Sequence, residues 1–401
     1  MDKDIVVIGG GLSGLIAALM AAQHGRSVHL LESASRLGGR ALSPRVGGVP
    51  ANLGAHALYL GGPGERVLTA LGIAWDGFKP EVVDAWLSDG SEVFRAPTSL
   101  LSLLRARSFT LAERFALMRF FGTLDRSDPR TLTGLTAAAW LERLGQGRVR
   151  RFVEAMVRVS TYSNAPDVIP ASLALRQLQI AIGLKAKGVV YVTLGWQTLV
   201  KKLEEVAVSS GVHVVTGAHV NRVSPGGSVV FTNEETWEAA HVIVALPRPS
   251  AAKLVAELGP SKTPPARAAC IDMVLDAPVS RRLVFGLDEP HYFSVHAALN
   301  AAPPLVAHAF RYLATGEDGT ALRPALEVWL DRVVPDRRAH VIAERFLPEM
   351  DVTSALPPCD VPSFERVTFA GDWASPGQVL LDAVAESAET AVGAALERAA
   401  A

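Results

Sequence analysis

Residues 5–14 read IVVIGGGLSG, and no other stretch of the chain restricts its fold as tightly. Ile5, Val6, Val7 and Ile8 form a short continuous apolar run, the pattern of a parallel strand covered on both faces. Gly9-x-Gly11-x-x-Gly14 follows and opens an apolar helical stretch; Val28, His29, Leu30 and Leu31 then lead to Glu32. Each piece has a physical task in holding a dinucleotide. Gly9 permits a tight turn, Gly11 lets the backbone approach a pyrophosphate, and Gly14 lets helix and strand pack closely. The unpaired N–H groups and positive dipole end of the helix face the phosphates. Glu32 is placed to accept hydrogen bonds from a ribose. A glycine turn that holds nothing would need neither the second strand nor its terminal acid.

The same stretch, continued to Ala22, is apolar enough to pass for a signal peptide or a membrane span. Asp2 and Asp4 surround the single Lys3, which makes a poor basic leader. The glycines at 9–11 also divide the run into a strand-sized and a helix-sized piece. The rest of the composition agrees with extensive burial: 49% of the 401 residues are apolar and mean hydropathy is +0.25. That length suggests two domains. Thirty-nine Lys and Arg against 40 Asp and Glu leave no basic excess for nucleic acid. Cys270 and Cys359 stand far apart without CxxC spacing, so neither a disulfide framework nor a metal site is indicated. A reducing cytoplasm is the expected location.

Ser35-Arg36-Leu37-Gly38-Gly39-Arg40 narrows the cofactor. A second glycine pair flanked by arginines, directly after the ribose acid, adds backbone donors and positive charge beside the phosphates. GGGLSGL followed by LLESASRLGGR resembles the opening of the FAD-dependent amine oxidase and phytoene desaturase superfamily. The resemblance implies an α/β fold: a Rossmann-like FAD-binding domain, with a parallel sheet and a β-meander, plus an α+β substrate domain formed by two inserts. It implies noncovalent FAD held by Gly9, Gly11, Leu12, Ser13, Gly14, Glu32, Ser33, Arg36, Gly39 and Arg40. Near the C-terminus FAGDW matches the family's closing strand, so Gly371 and Asp372 are expected at the ribityl chain. Asp372 as a plain helix cap is the alternative. The helix after it, starting among Gln378, Val379, Leu380 and Leu381, is expected to aim its N-terminus at the flavin ring. Val220, on a strand after a Gly-Ala step, is expected beside adenine.

Between these ends, 195–209 reads as a turn and an amphipathic helix, and 212–215 as a buried strand. Three short strands follow at 219–224, 228–232 and 240–246, separated by turn residues. The FAD-binding domain is thus expected from 1–84, 190–250 and 351–401, and the substrate domain from 85–189 and 251–350. The first insert reads as mostly helical. Its segment 99–121 mixes Leu and Phe with Arg105, Arg107, Arg114 and Arg119, which fits either peripheral contact with a membrane or an internal hairpin with solvated arginines. The second insert opens with a helix and continues with strands at 268–275, 281–285, 292–296 and 304–312.

The resemblance also says what to look for at the chemistry. Amine oxidases of the superfamily carry a lysine on the first strand of the second insert. Here 266–272 reads ARAACID, and Lys262 stands upstream beyond its reach. Trp373 is expected to fill one place of an aromatic cage. The desaturase or dehydrogenase branch, which acts on apolar substrates, therefore ranks first. Amine oxidase is the runner-up, and a flavin-dependent isomerase and a protoporphyrinogen-type oxidase remain open, with oxygen or another acceptor taking the electrons of an oxidation. A flavin-free binding protein of the escort type is the non-enzyme alternative. Asn52-Leu53-Gly54-Ala55-His56 matches a segment that passes the flavin, which makes His56 the first candidate for a polar group at the chemistry. Tyr162 and His296 fall where the pocket is expected, as do Asn164, His291 and Tyr292. Cys270 reads as a small core hydrophobe.

Overall fold

A computed structural model describes residues 3–80, 82–183, 186–357, 359–362 and 364–399. Asp2, weighed above as part of a leader, lies outside them. The chain opens with β1 (Lys3–Ile8), α1 (Leu12–Gln23) and β2 (Val28–Glu32). β1 and β2 pair in parallel, and α1 crosses between them as the apolar pattern demands. Short pairs follow at β3 (Arg45–Val46) and β4 (Val49–Pro50), then β5 (Leu58–Tyr59), α2 (Pro63–Ala70) and β6 (Gly77–Phe78). The first insert begins with β7 (Ala85–Asp89) and β8 (Glu92–Arg95) before it turns helical. Its helices are α3 (Leu100–Arg105), α4 (Leu111–Leu124), α5 (Ala137–Glu142), α6 (Arg148–Thr161) and α7 (Ala171–Ile182).

β9 (Val189–Val192) returns the chain to α8 (Gln197–Ser209) and β10 (His213–Thr216). A meander of β11 (Val220–Val223), β12 (Ser228–Phe231) and β13 (Thr236–Val244) comes next. β13 begins earlier than its apolar core suggests, because Thr236 to Glu238 pair with β12 before the strand enters the parallel sheet. After α9 (Arg248–Leu254) come β14 (Ala266–Leu275), β15 (Leu283–Gly286), β16 (His291–Val295) and β17 (Leu305–Tyr312). Then α10 (Arg323–Val333), β18 (Val341–Thr353), β19 (Val367–Phe369) and α11 (Leu380–Ala399) finish the chain.

Two seven-stranded sheets organise these elements. The first runs β10-β2-β1-β13-β12-β11, with β19 parallel to the end of β13. α1, α8 and α11 cover one face through Leu15, Ile16, Leu199, Leu203, Ala388 and Val392. Trp373, Phe369 and Val255 fill the other. The second sheet runs β18-β14-β17-β16-β15-β7-β8. Both inserts build it, since β7 of the first lies parallel to β15 of the second. Neither β7 nor β8 stands out from its helical surroundings in the sequence. Alternation along β14 sends Ile271 and Met273 to α10, where Trp329 is fully buried. Ala268 and Cys270 face the other way, toward the helices of the first insert. Among the described residues no helix is long and apolar enough to cross a membrane.

Candidate active site

A cavity of about 710 Å³ lies between the first sheet's carboxyl edge and the second sheet. Its glycine-rich end follows from backbone necessity. Gly9 turns with φ +109°, and a Cβ there would meet the Ala245 carbonyl oxygen at 2.5 Å. A Cβ on Gly14 would sit 1.8 Å from the Gly9 oxygen, so α1 can close on the loop only with glycine. A Cβ on Gly11 would meet nothing within 4 Å. Gly11 is also the N-cap of α1 and supplies no side-chain acceptor, which leaves the first-turn N–H groups without a side-chain cap. Glu32 ends β2 at the cavity wall and holds the loop: Gly10 N–H donates to Oε2 at 2.7 Å and Ala34 N–H to Oε1 at 2.8 Å.

Farther along the wall, Arg40 Nη1 donates to Asp372 Oδ2 at 2.9 Å and to the Val352 carbonyl at 2.9 Å. Asp372 also accepts from Ser354 N–H at 2.8 Å and Ser354 Oγ at 3.1 Å. Burial works against both charges. Their mutual attraction outweighs it, holding the carboxyl of Asp372 below the usual range and the guanidinium of Arg40 above it. α11 begins on the same wall with Leu380, a non-glycine residue at φ +56°. Such a backbone costs about 1–3 kcal/mol and persists where the surroundings impose it.

The far end meets the face of the second sheet. His56 lies edge-on to Trp196 with ring centroids 5.0 Å apart, and its Nδ1–H donates to the Gly54 carbonyl at 3.0 Å. Burial, then the neighbouring His308 and Arg40, push its pKa down to about 4 against the pull of Gly54 and Asp272. It is therefore a neutral imidazole at physiological pH. Behind it the five tyrosines of the chain gather: Tyr162 is pushed well above the phenol range by burial and then by Tyr292, Tyr312, Tyr59 and Tyr191. Tyr191 and Tyr292 share a hydrogen bond of 3.0 Å. His296 stacks on Tyr191 at 3.7 Å and meets His308 edge-on at 4.6 Å.

Beneath these rings lies a charged cluster that the sequence reading missed. His308 Nδ1 bonds Asp272 Oδ1 at 2.7 Å, and Arg345 Nε donates to Asp272 Oδ2 at 3.0 Å. Cys270 Sγ donates to the same carboxylate at 3.2 Å, and burial pushes its thiol well up. Cys270, Asp272 and His308 bring their ligand atoms within 4.8 Å of one another. The guanidinium already neutralises the carboxylate there, so the cluster reads as a charge network.

Gly9, Gly11, Leu12, Ser13, Glu32, Gly39, Arg40, His56, Tyr162, Gly371, Asp372 and Leu380 all line the cavity. Gly14 and Val379 are buried beside that wall. Ser33 donates to Glu32 at 3.2 Å, Arg36 is exposed, and Val220 packs against the meander core. His296 belongs to the aromatic layer behind the cavity. Trp373 does not fill a cage: it is fully buried under the first sheet, its indole N–H on the Leu246 carbonyl at 2.9 Å. β14 carries no lysine, and Lys262 is exposed, paired with Asp360 at 2.6 Å. Trp196, Leu347 and Met350 on the wall were not foreseen. Nothing in their local sequence marks them, because the topology alone brings them there.

These features suit an extended dinucleotide: uncapped N–H groups for a pyrophosphate, a terminal acid for a ribose, and a volume within the range of cofactor sites. The model of the flavin-containing amine oxidoreductase family matches residues 12–339, and the chain belongs to that family. It is 29% identical over 267 residues to a Mycobacterium tuberculosis protein named as a flavin-containing monoamine oxidase, 61% of this chain and 57% of that one. A pseudooxynicotine dehydrogenase of a Pseudomonas species is 24% identical, with 62% and 52% covered. A 4,4'-diapolycopen-4-al dehydrogenase of Metabacillus indicus is 22% identical, with 71% and 62% covered. The match thus spans between about half and three-fifths of these relatives' length. Among solved structures, an oxidoreductase from Methanosarcina mazei superimposes with a TM-score of 0.78 at 18% identity, over 97% of this chain and 99% of that one. A putrescine oxidase bound to putrescine gives 0.74 at 16% identity, over 99% of each chain. Both share the fold.

Proposed function

We propose that this protein is an FAD-dependent oxidoreductase of the desaturase or dehydrogenase type, acting on an apolar organic substrate. One observation carries the reading: a single cavity joins the glycine loop and the Arg40–Asp372 pair to a wall of His56, Tyr162 and apolar side chains. Bound without a covalent link, FAD would supply the hydride acceptor. The N–H groups at the start of α1 would hold its pyrophosphate, with Arg40 adding charge beside it. Glu32 would bind the ribose, Asp372 the ribityl chain, and the start of α11 would face the ring.

The chain's own groups favour an uncharged substrate. Asp272, a buried carboxylate on the sheet, already serves Arg345 and His308, and the cavity-wall carboxylates Glu349 and Asp351 both face Arg267, at 3.1 Å and 3.7 Å. His56 is neutral, and the tyrosines remain protonated donors in a buried aromatic layer. Its free Nε2 makes His56 the group on the cavity wall best placed to take a proton from the substrate as the hydride leaves. Oxygen or another acceptor would take up the electrons.

The test is anaerobic reduction of the purified protein's flavin spectrum by a panel of polyenes, cyclic alkenes and amines. Bleaching by an apolar alkene or polyene supports the proposal. Bleaching by amines alone would replace it with amine oxidation, in line with two of the named relatives. No flavin absorbance after added FAD would favour a binding protein of the escort type.

A further inference from the structure

The segment 99–126 folds into a well-capped helical pair that leaves a second apolar face uncovered. Ser99 caps α3 and Thr110 caps α4, each in a reciprocal capping box. Arg114 ties the two together, donating to the Leu104 carbonyl at 2.8 Å and the Phe109 carbonyl at 2.9 Å. Leu103, Phe109, Leu117 and Leu124 face inward and are buried in the core of the substrate unit. That burial is sufficient to explain the fold. Yet Leu100, Leu111 and Phe115 are 64%, 70% and 67% exposed, with Leu101 and Leu104 exposed beside them. On α4 the positions of Leu111 and Phe115 are one turn apart, so their side chains stand together. Five large apolar side chains exposed within sixteen residues make a patch that a chain bathed only in water does not need.

We propose that this face docks on an anionic lipid surface. The charge around it selects that occupant. Residues 99–126 hold five arginines against two acids. Glu113 is occupied by its capping box, accepting from Thr110 N–H at 2.8 Å. Arg105, Arg107, Arg119 and Arg126 are exposed and make no ion pair among the described residues. Arg119 projects from the exposed side of α4, and Arg105 and Arg107 flank the leucines of α3. Apolar side chains bracketed by unpaired arginines match the boundary between acyl chains and acidic headgroups. A second copy of the chain would bring like charges together around a twofold axis, which disfavours it. The docked helices belong to the insert whose core also contains Tyr162, a residue of the cavity wall.

The experiment is flotation of the intact protein with vesicles of phosphatidylcholine alone and of phosphatidylcholine with phosphatidylglycerol. The proposal expects binding to the second and little to the first, weakened by salt. Leu111→Ser with Phe115→Ser, and separately Arg105→Glu with Arg119→Glu, should each weaken binding by about tenfold or more. These positions are exposed, so thermal unfolding of both variants should match the parent and rule out misfolding. No flotation with either vesicle overturns the proposal, as does undiminished binding by the variants. Equal, salt-insensitive binding to both vesicles overturns the anionic assignment. A dimer by light scattering that either variant dissociates assigns the face to a second copy instead. None of these outcomes depends on flavin or on the substrate.

Discussion

Asp382 occupies the first turn of α11, where a negative charge ordinarily gains from the helix dipole. Here burial wins. It pushes the carboxyl up to about 6, Glu386 adds to the shift, and the hydrogen bond from Gly64 N–H at 2.8 Å only reduces it. Between the unfolded value near 3.8 and the folded value near 6, the folded chain binds a proton that the unfolded chain has lost. This group's contribution is therefore complete below pH 3.8 and is lost as pH rises through 6. Asn would keep an acceptor for Gly64 without the charge. Asp382→Asn is expected to stabilise the protein by roughly 1–3 kcal/mol at pH 8 and by almost nothing near pH 4. Thermal unfolding at the two pH values checks this, and equal gains at both would refute the charge argument. At this scale the sequence is legible wherever the backbone dictates the residue. Gly9 and Gly14 could be assigned because no other side chain fits their contacts. Asp382 could not, because its burial comes from Gly62 and Gly64, more than 300 positions away.

Element by element, the clearest readings were those with a single period. β1, α1 and β2 are mostly apolar segments whose apolar residues are largely buried, and the sequence states them directly. β18 was missed for the opposite reason. It is an edge strand paired only with β14, its residues are half-buried or exposed up to the buried Thr353, and it contains Pro348. Its main contribution, Arg345, is a partner for Asp272 from 73 positions away. Burial raises the cost of the Asp272 charge, but His308 and Arg345 together keep its carboxyl below the usual range. Arg345 also donates to the Asn52 carbonyl at 2.7 Å, tying this edge to the loop that carries His56. Arg345→Leu would strand a buried carboxylate with one imidazole, at an expected loss of about 3–5 kcal/mol. Adding Asp272→Leu should recover part of that loss, since the uncompensated charge goes with it. Denaturant unfolding of the single and double variants decides the matter. A double variant worse than the sum of its singles would show that shape, not charge, holds these strands together.

Across the whole molecule, the histidines set the response to acid. Burial pushes His241 and His56 down to about 4 and His291 to about 3, with nearby arginines acting in the same direction. His296 is likewise held well below its ordinary value, first by burial and then by His308 and His56. They are spread through the structure: His241 on β13 of the first sheet, His291 on β16 of the second, His56 on the cavity wall between them. The unfolded chain protonates each near pH 6.5, while in the folded chain His241, His56 and His291 resist until pH 3–4. Their stabilisation is present above pH 6.5 and is lost as pH falls toward 4, by roughly 3 kcal/mol for a fully buried site such as His241. Asp382 opposes them with a single proton. Asp372 and Asp272, whose carboxyls are depressed, extend the loss below pH 3.8. A few such groups together rival a typical folding free energy of about 5–15 kcal/mol. The protein is therefore expected to unfold between pH 6 and 4 with a net uptake of about two to three protons, read from the slope of unfolding free energy against pH. Because the groups lie in both sheets and between them, near- and far-ultraviolet circular dichroism should lose signal at one common pH. Stability that stays level from pH 7 to 4.5 would mean that these imidazoles are hydrated and that the interior is wetter than its packing implies.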